Sequence, residues 1–304
     1  MRKKLILSLT SLLILVLIWF LFIKKYDYQI NFSIKTSPGT VYSRIDEVKK
    51  WPINNKENNL EVLKRVAYKS VEQSFKVNQN NYLLYWEIIP QNDSITKVSI
   101  YAKDKKNSLK QRLLYLIGQS DLSKTVLDFA NGFANDLQRH TEKFRIEIIG
   151  KKLSPVYESV IYTKFRSKLS GKAGKMAGKI YFLDKYITKY HIKKEGFPFM
   201  YITDWNKQKN NIAAEFCFPV ETMNEFPVDS IVKIKQNIKA IPVLKAVYHG
   251  NYRYTDRAWF ALDNYAKQHN IKLENKILEI YYNDPHNDAN ELRWKAEIFI
   301  PLKN

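Results

Sequence analysis

Residues 278–285, LEIYYNDP, place one carboxylate, Glu279, inside an otherwise apolar and aromatic run. Alternate side chains of a strand share a face, so Glu279, Tyr281 and Asn283 lie on one side and Leu278, Ile280 and Tyr282 on the other. A carboxylate removed from water is unfavourable without a partner. Lining a pocket, it would select cationic or hydrogen-bond-donating ligands, and nearby Tyr and Trp would add stacking and cation–π contacts. On an exposed face it would be solvated, or paired with one of the chain's many lysines.

A second cluster lies at 246–259, AVYHGNYRYTDRAW. Tyr248, His249, Tyr252, Tyr254 and Trp259 surround Gly250, which permits an unusual backbone angle where a strand turns into a helix. Such a loop could present aromatics to a ligand, or could be a tyrosine-rich strand end with a core Trp. Other chemistry is sparse. The five histidines have no metal-ligand spacing, and no G-x-S-x-G or G-x-G-x-x-G occurs. No cofactor or metal is therefore expected. The one cysteine, Cys217, sits in the apolar run AEFCFPV and reads as packing. It excludes an internal disulfide framework.

The elements that must position these residues follow from the whole chain. Its 304 residues can bury a large core, and 45% hydrophobic content indicates a folded protein. The formal charge of +20 favours anionic partners. Residues 5–23, LILSLTSLLILVLIWFLFI, carry no charge. As a helix they reach ~28 Å, close to the thickness of a hydrocarbon core. Arg2, Lys3 and Lys4 flank one end, Lys24 and Lys25 the other. The run is long for a signal-peptide core, and bulky residues follow where a cleavage site would need small ones. It reads as an uncleaved single-pass membrane anchor. Three cations against two slightly favour the N-terminus inside and the bulk of the chain outside, a difference too small to fix the side.

Residues 26–150 order as a strand (26–36), a short helix after Ser37-Pro38, strand-like runs at 61–77, 81–90 and 95–103, an ambiguous 108–117, and a long helix over 121–147. Leu122, Val126, Phe129, Phe133 and Leu137 recur there at helical steps, with Asp121 or Ser123 as cap. That layout is α+β, with a sheet able to curl around the long helix.

Residues 151–304 contain an internal β-α-β-β repeat, about 153–220 and 240–302. LSPVYESVIYT matches AIPVLKAVYHG, GFPFMYITDW matches NKILEIYYNDP at an offset of 80, and AAEFCFPV matches KAEIFIPL. On that offset the counterpart of Glu279 is Phe199. Between 151 and 194 there are 12 Lys/Arg against two acidic residues. GKAGKMAGK fits no phosphate-loop register. It reads as a helix with small residues on one patch and lysines on another, weakened by about 1 kcal/mol per glycine, which implies close packing or mobility.

PVLKAVYHGNY, the helix containing Trp259, LEIYYNDP and the closing KAEIFIPL together resemble the gyrase-inhibitor-like small-molecule-binding domain. The same domain serves as the effector-binding domain of multidrug-responsive transcription activators. The resemblance covers about 151–304. It implies a cleft between repeats for small cationic or aromatic molecules, with a glutamate at the position of Glu279 and Tyr248, Tyr252 and Trp259 near it. A few such relatives hydrolyse reactive small molecules. Residues 26–150, through INFSIKTSPGTVYSRIDEVKKWP and the long final helix, resemble the helix-grip fold of the polyketide cyclase and START-like superfamily. The activators' DNA-binding domain has no counterpart, so direct nucleic-acid binding is not expected.

The expectation is thus an α+β chain with an anchor (1–25), a helix-grip domain (26–150) and an effector-binding domain (151–304). Its expected role is to bind a hydrophobic or cationic small molecule, as sensor or sequestering protein, through Glu279, Tyr281, Tyr248, Tyr252, Trp259 and Phe199. One alternative is a hydrolase with Glu279 as general base and Tyr248 or Tyr252 as donor. Another is a membrane-tethered scaffold whose Lys172, Lys175 and Lys179 meet anionic lipid.

Overall fold

A computed structural model of the chain describes residues 2–48, 50–53, 56–77 and 80–303. It opens with helix α1 (Arg2–Ile18), continued by a π-helical turn over Trp19–Ile23. Together they form a 22-residue apolar helix, long enough to cross a membrane and with none of its residues buried against protein. The rest of the architecture is α+β.

The chain divides into two compact units, one made of Met1–Gln91 with Ile95–Gln138, the other of Asn92–Ser94 with Arg139–Asn304. Beyond α1, the first unit holds β1 (Tyr28–Ile34), α2 (Pro38–Glu47), β2 (Lys50–Ile53), β3 (Lys56–Val66), β4 (Ser70–Val77), β5 (Asn80–Pro90), β6 (Thr96–Asp104), α3 (Ser108–Leu116) and α4 (Asp121–Thr141). Its sheet is antiparallel in the order β1-β6-β5-β4-β3-β2. The run expected at 61–77 is two strands, because residues 67–69 turn between β3 and β4. Val126, Phe129, Phe133 and Leu137 of α4 are buried, as their spacing requires. Phe133 and Phe129 pack against Trp86 at 4.9 and 5.7 Å between ring centroids, so aromatic side chains fill the space between sheet and helix.

The cap of α4 is neither Asp121 nor Ser123 but Ser120. The Ser123 amide donates to Ser120 Oγ at 3.2 Å, and the Ser123 hydroxyl donates back to the Ser120 carbonyl at 2.9 Å. α4 also stops at Thr141 instead of 147. From Phe144 the period changes to two, with Phe144, Ile146 and Ile148 alternating with Arg145 and Glu147, and the chain enters β7 (Phe144–Leu153). β7 pairs with a strand of the second unit, so that unit begins ahead of residue 151.

The second unit continues with β8 (Tyr157–Lys168), α5 (Lys172–Lys189), β9 (Phe199–Asn206), β10 (Asn211–Pro219), β11 (Lys233–Ile238), β12 (Pro242–Gly250), α6 (Asp256–Gln268), β13 (Ile277–Tyr281) and β14 (Lys295–Pro301). Eight antiparallel strands run in the order β11-β8-β10-β9-β13-β14-β12-β7. β8-α5-β9-β10 and β12-α6-β13-β14 have the same element order, and the two groups meet where β9 pairs with β13. Gly250 has φ +144°, and a Cβ there would lie 2.8 Å from Phe144 Cβ, so this strand end requires glycine.

The ladder corrects the repeat register. Pro219 lies opposite Val160, and Pro301 opposite Val243. Two residues earlier on each closing strand, Cys217 lies opposite Phe199 and Phe299 opposite Leu278. Leu278 is therefore the counterpart of Phe199, and Glu279 that of Met200, which is also its direct partner across β9 and β13. The letter match at an offset of 80 was one residue out, and a one-residue shift moves a side chain to the opposite face.

α5 is not held by close packing at its glycines. A Cβ at Gly174 or Gly178 would meet nothing within 4 Å. Each Gly→Ala change should therefore stabilise the second unit by about 0.5–1 kcal/mol, read from the urea midpoint of its transition. A shift the other way would mean that these glycines serve a packing role.

Candidate functional site

The two faces of the second sheet hold two different environments. On the face covered by α5 and α6, Glu279 is fully buried. Its carboxylate is enclosed by donors. Trp259 Nε1 donates to Oε1 at 2.5 Å, the Tyr281 hydroxyl donates to Oε2, and Lys172 Nζ lies 3.2 Å from both oxygens. The ammonium also donates to Thr255 Oγ1 and stands 4.6 Å from the centroid of the Trp259 ring. Burial, followed by the adjacent Glu279 charge, pushes the Tyr281 hydroxyl well above the usual phenol range.

Lys172 thus supplies the cationic partner that the sequence left open for a ligand. It is 1% exposed and does not belong to the lysine-rich surface, which corrects its expected place beside Lys175 and Lys179. Lys175 is exposed, and Lys179 Nζ lies 5.5 Å from the Phe182 ring centroid on the same helix.

The remaining aromatics of the expected set hold the fold around this cluster. The Tyr252 ring packs at a tilt against Tyr281 with centroids 4.9 Å apart, its hydroxyl donates to the Lys295 carbonyl at 2.8 Å, and it accepts from the Asn283 amide at 3.0 Å. Burial pushes that hydroxyl up to about 12. Tyr248 donates to the Asn251 carbonyl at 2.9 Å and is raised further, again chiefly by burial. Glu279, Tyr281, Trp259 and Tyr252 are brought together. Phe199 is not, because it lies opposite Ile280 on the other face.

That other face lines a cavity of about 190 Å³. Its walls are corresponding positions of the two repeats: Val160 with Val243, Phe199 with Leu278, and Cys217 with Phe299. Two connections close one end. The Ser154 amide donates to the Ile241 carbonyl at 2.9 Å, and the Ile241 amide donates to Ser154 Oγ at 3.1 Å, which joins the β7–β8 link to the β11–β12 link. Tyr157 lies flat on Phe199 with ring centroids 4.7 Å apart. Burial raises its hydroxyl far above the ordinary phenol value.

The charged part of the lining is asymmetric. Glu215 is 4% exposed and ion-paired with Lys235, and both line the cavity. Lys235 Nζ also lies 4.6 Å from the Tyr162 ring centroid and 5.6 Å from that of Tyr201. Burial raises Tyr201, with Lys276 and Lys235 acting in the opposite sense. Cys217 is buried in the wall, and burial holds its thiol neutral by raising it.

Phe199, expected in one pocket with Glu279, lines this cavity instead, and Tyr157, Tyr201, Glu215 and Lys235 were not among the expected residues. A signal was present. Val160 and Tyr162, Phe199 and Tyr201, and Glu215 and Cys217 each follow the two-residue period of their strands.

No protein-family model matches the sequence, and neither does any curated protein. Solved structures resemble it in part. The C-terminal domain of EcmrR is 18% identical with a TM-score of 0.42, over 53% of this chain and 98% of that one. A hydrolase from Listeria innocua is 11% identical with a TM-score of 0.31, over 53% and 92%. The di-domain ARO/CYC StfQ of the steffimycin biosynthetic pathway is 9% identical with a TM-score of 0.27, over 91% and 85%.

Proposed function

We propose that the chain is a membrane-anchored protein whose second unit binds a small, flat, largely apolar molecule, as a sensor or a sequestering protein. The carrying observation is the cavity on the face away from α5 and α6, walled by paired apolar positions of the two repeats. An apolar protein cavity of about 150 Å³ accommodates benzene, so about 190 Å³ suits one ring or two fused rings. Phe199, Tyr157 and Tyr201 offer flat surfaces, and Glu215 with Lys235 offers both signs of charge to a polar substituent. The geometry favours a hydrophobic ligand over a cationic one, because both buried carboxylates near the repeat junction, Glu279 and Glu215, already face a lysine. A general-base role for Glu279 would require Lys172 to leave.

Titration calorimetry on the full chain in lipid nanodiscs, with naphthalene, 1-naphthol and 1-naphthylamine as probes, tests this reading. Saturable binding is expected, at least tenfold weaker (~1.4 kcal/mol) in Leu278→Trp, whose larger ring would fill the cavity. Equal binding by Leu278→Trp, or no saturable binding by the unaltered chain, would remove it.

A further inference from the structure

Helix α3 is inside out. Its buried residues are Gln111 and Arg112, whereas Leu109, Leu113, Leu116 and the following Ile117 are 43, 48, 52 and 64% exposed. Leu109, Leu113 and Leu116 follow one another at i, i+4 and i+7 and therefore form one stripe. The usual assignment of apolar residues to the protein side is reversed.

The buried polar side explains where this helix sits. Arg112 donates through Nε to Asp27 Oδ1 at 2.7 Å. It also donates through NH1 to the carbonyls of Phe20 and Leu21, at 3.0 and 2.9 Å, and through NH2 to that of Lys24. These carbonyls terminate the apolar N-terminal helix, where the last turn has no intrahelical donors left and a cation is favoured. Tyr115 adds ring contacts to Phe20 at 6.4 Å and to Tyr28 at 5.6 Å. α3 is thus fastened to the end of the 22-residue apolar helix. If that helix spans a bilayer, its length of ~33 Å places Lys24 and the carbonyl clamp at the lipid–water boundary. Exposed Lys105, Lys106 and Lys110 flank the leucine stripe, at the level where anionic headgroups would lie.

We propose that α3 is a second membrane contact, lying in the interface of the leaflet from which the N-terminal helix emerges, with its leucine stripe among the acyl chains and its lysines among anionic headgroups. The proposal rests on the membrane-anchor reading of α1. Two facts select lipid as the occupant: the stripe is continuous with the span through the Arg112 clamp, and the cations beside it match an anionic surface. The fold then has two attachments to the bilayer, and the first unit is held at a fixed orientation to it.

Spin labels test this on the full chain in a Cys217→Ala background, reconstituted in vesicles of three parts phosphatidylcholine to one part phosphatidylglycerol. Labels are placed singly at Leu12, Leu113, Leu116 and Lys209, and depth is read from power saturation with oxygen and a water-soluble nickel chelate. Labels at Leu113 and Leu116 are expected ~5–10 Å below the headgroups, as for interfacial helices. Leu12 should read deep and Lys209 aqueous. Aqueous readings at 113 and 116 with Leu12 deep would overturn the proposal and leave the anchor standing. An aqueous Leu12 would overturn both. Shielding of 113 and 116 from both reagents, with dipolar broadening between labels, would place a second copy on the stripe and would also overturn it.

Discussion

Replacing Lys172 with methionine is expected to destabilise the second unit by about 3–5 kcal/mol, the cost of leaving a buried carboxylate without its counter-ion. Glu279 has no access to water, and Lys172 is 2% exposed at its side chain. The hydrogen bonds from Trp259 and Tyr281 would remain, but they do not neutralise the charge. The ammonium's contact with the Trp259 ring would be lost as well. Equilibrium urea unfolding of the full chain in nanodiscs, followed by near-ultraviolet circular dichroism, reads the effect in the second unit's transition. The double variant Lys172→Met, Glu279→Leu should recover most of it, because replacing both members of a buried pair with apolar groups is often neutral or better. A loss below ~1 kcal/mol in the single variant would mean that the pair is not held as described. Full loss in the double variant would place the effect in packing and not in charge.

The second large effect is expected in the first unit. Arg112→Met removes the partner of Asp27, in a pair whose side chains are 4% and 1% exposed. Asp27 would keep the Ser108 hydroxyl and the Asp104 amide at 2.9 Å, and would still be a buried anion short of its cation. The carbonyls of Phe20, Leu21 and Lys24 would lose their donor together. A loss of about 3–5 kcal/mol is expected for that unit, with faster amide hydrogen exchange in residues 20–30. Arg112→Lys should recover only part of it, since an ammonium cannot reproduce the planar fork that serves an acid and three carbonyls at once. Unchanged exchange in Arg112→Met would show that the clamp does not hold the end of the apolar helix.

Much of the fold was legible because it is written in local periodicity. An uncharged run of 19 residues, a helical spacing from Leu122 to Leu137, and two proline-closed strands with matching order each constrain the structure without knowledge of a partner. The boundary at α4 was less legible. Phe144 falls seven residues after Leu137, a spacing that a continuing helix could also use, and pairing with β12 decided for the strand.

The candidate site was half legible for a related reason. A strand's sequence states which residues share a face, and Leu278/Ile280 against Glu279/Tyr281 was read correctly in that sense. It does not state which face meets helices and which meets a cavity. Phe199 was aligned with Glu279 by letters, and the hydrogen-bond register aligns Met200 instead. The partner of Glu279 lies 107 residues away on a helix whose lysines look alike in sequence. Only the docking of α5 over the sheet separates buried Lys172 from exposed Lys175.

The sequence by itself determined the anchor-length helix, the α+β elements and the repeat, because period, charge and proline act within a few residues. The tertiary structure alone decided that Glu279 is satisfied internally, that the cavity opens on the reverse face, and that α3 turns its leucines outward. Each of those depends on which surfaces meet across long stretches of chain, and no local spacing encodes that.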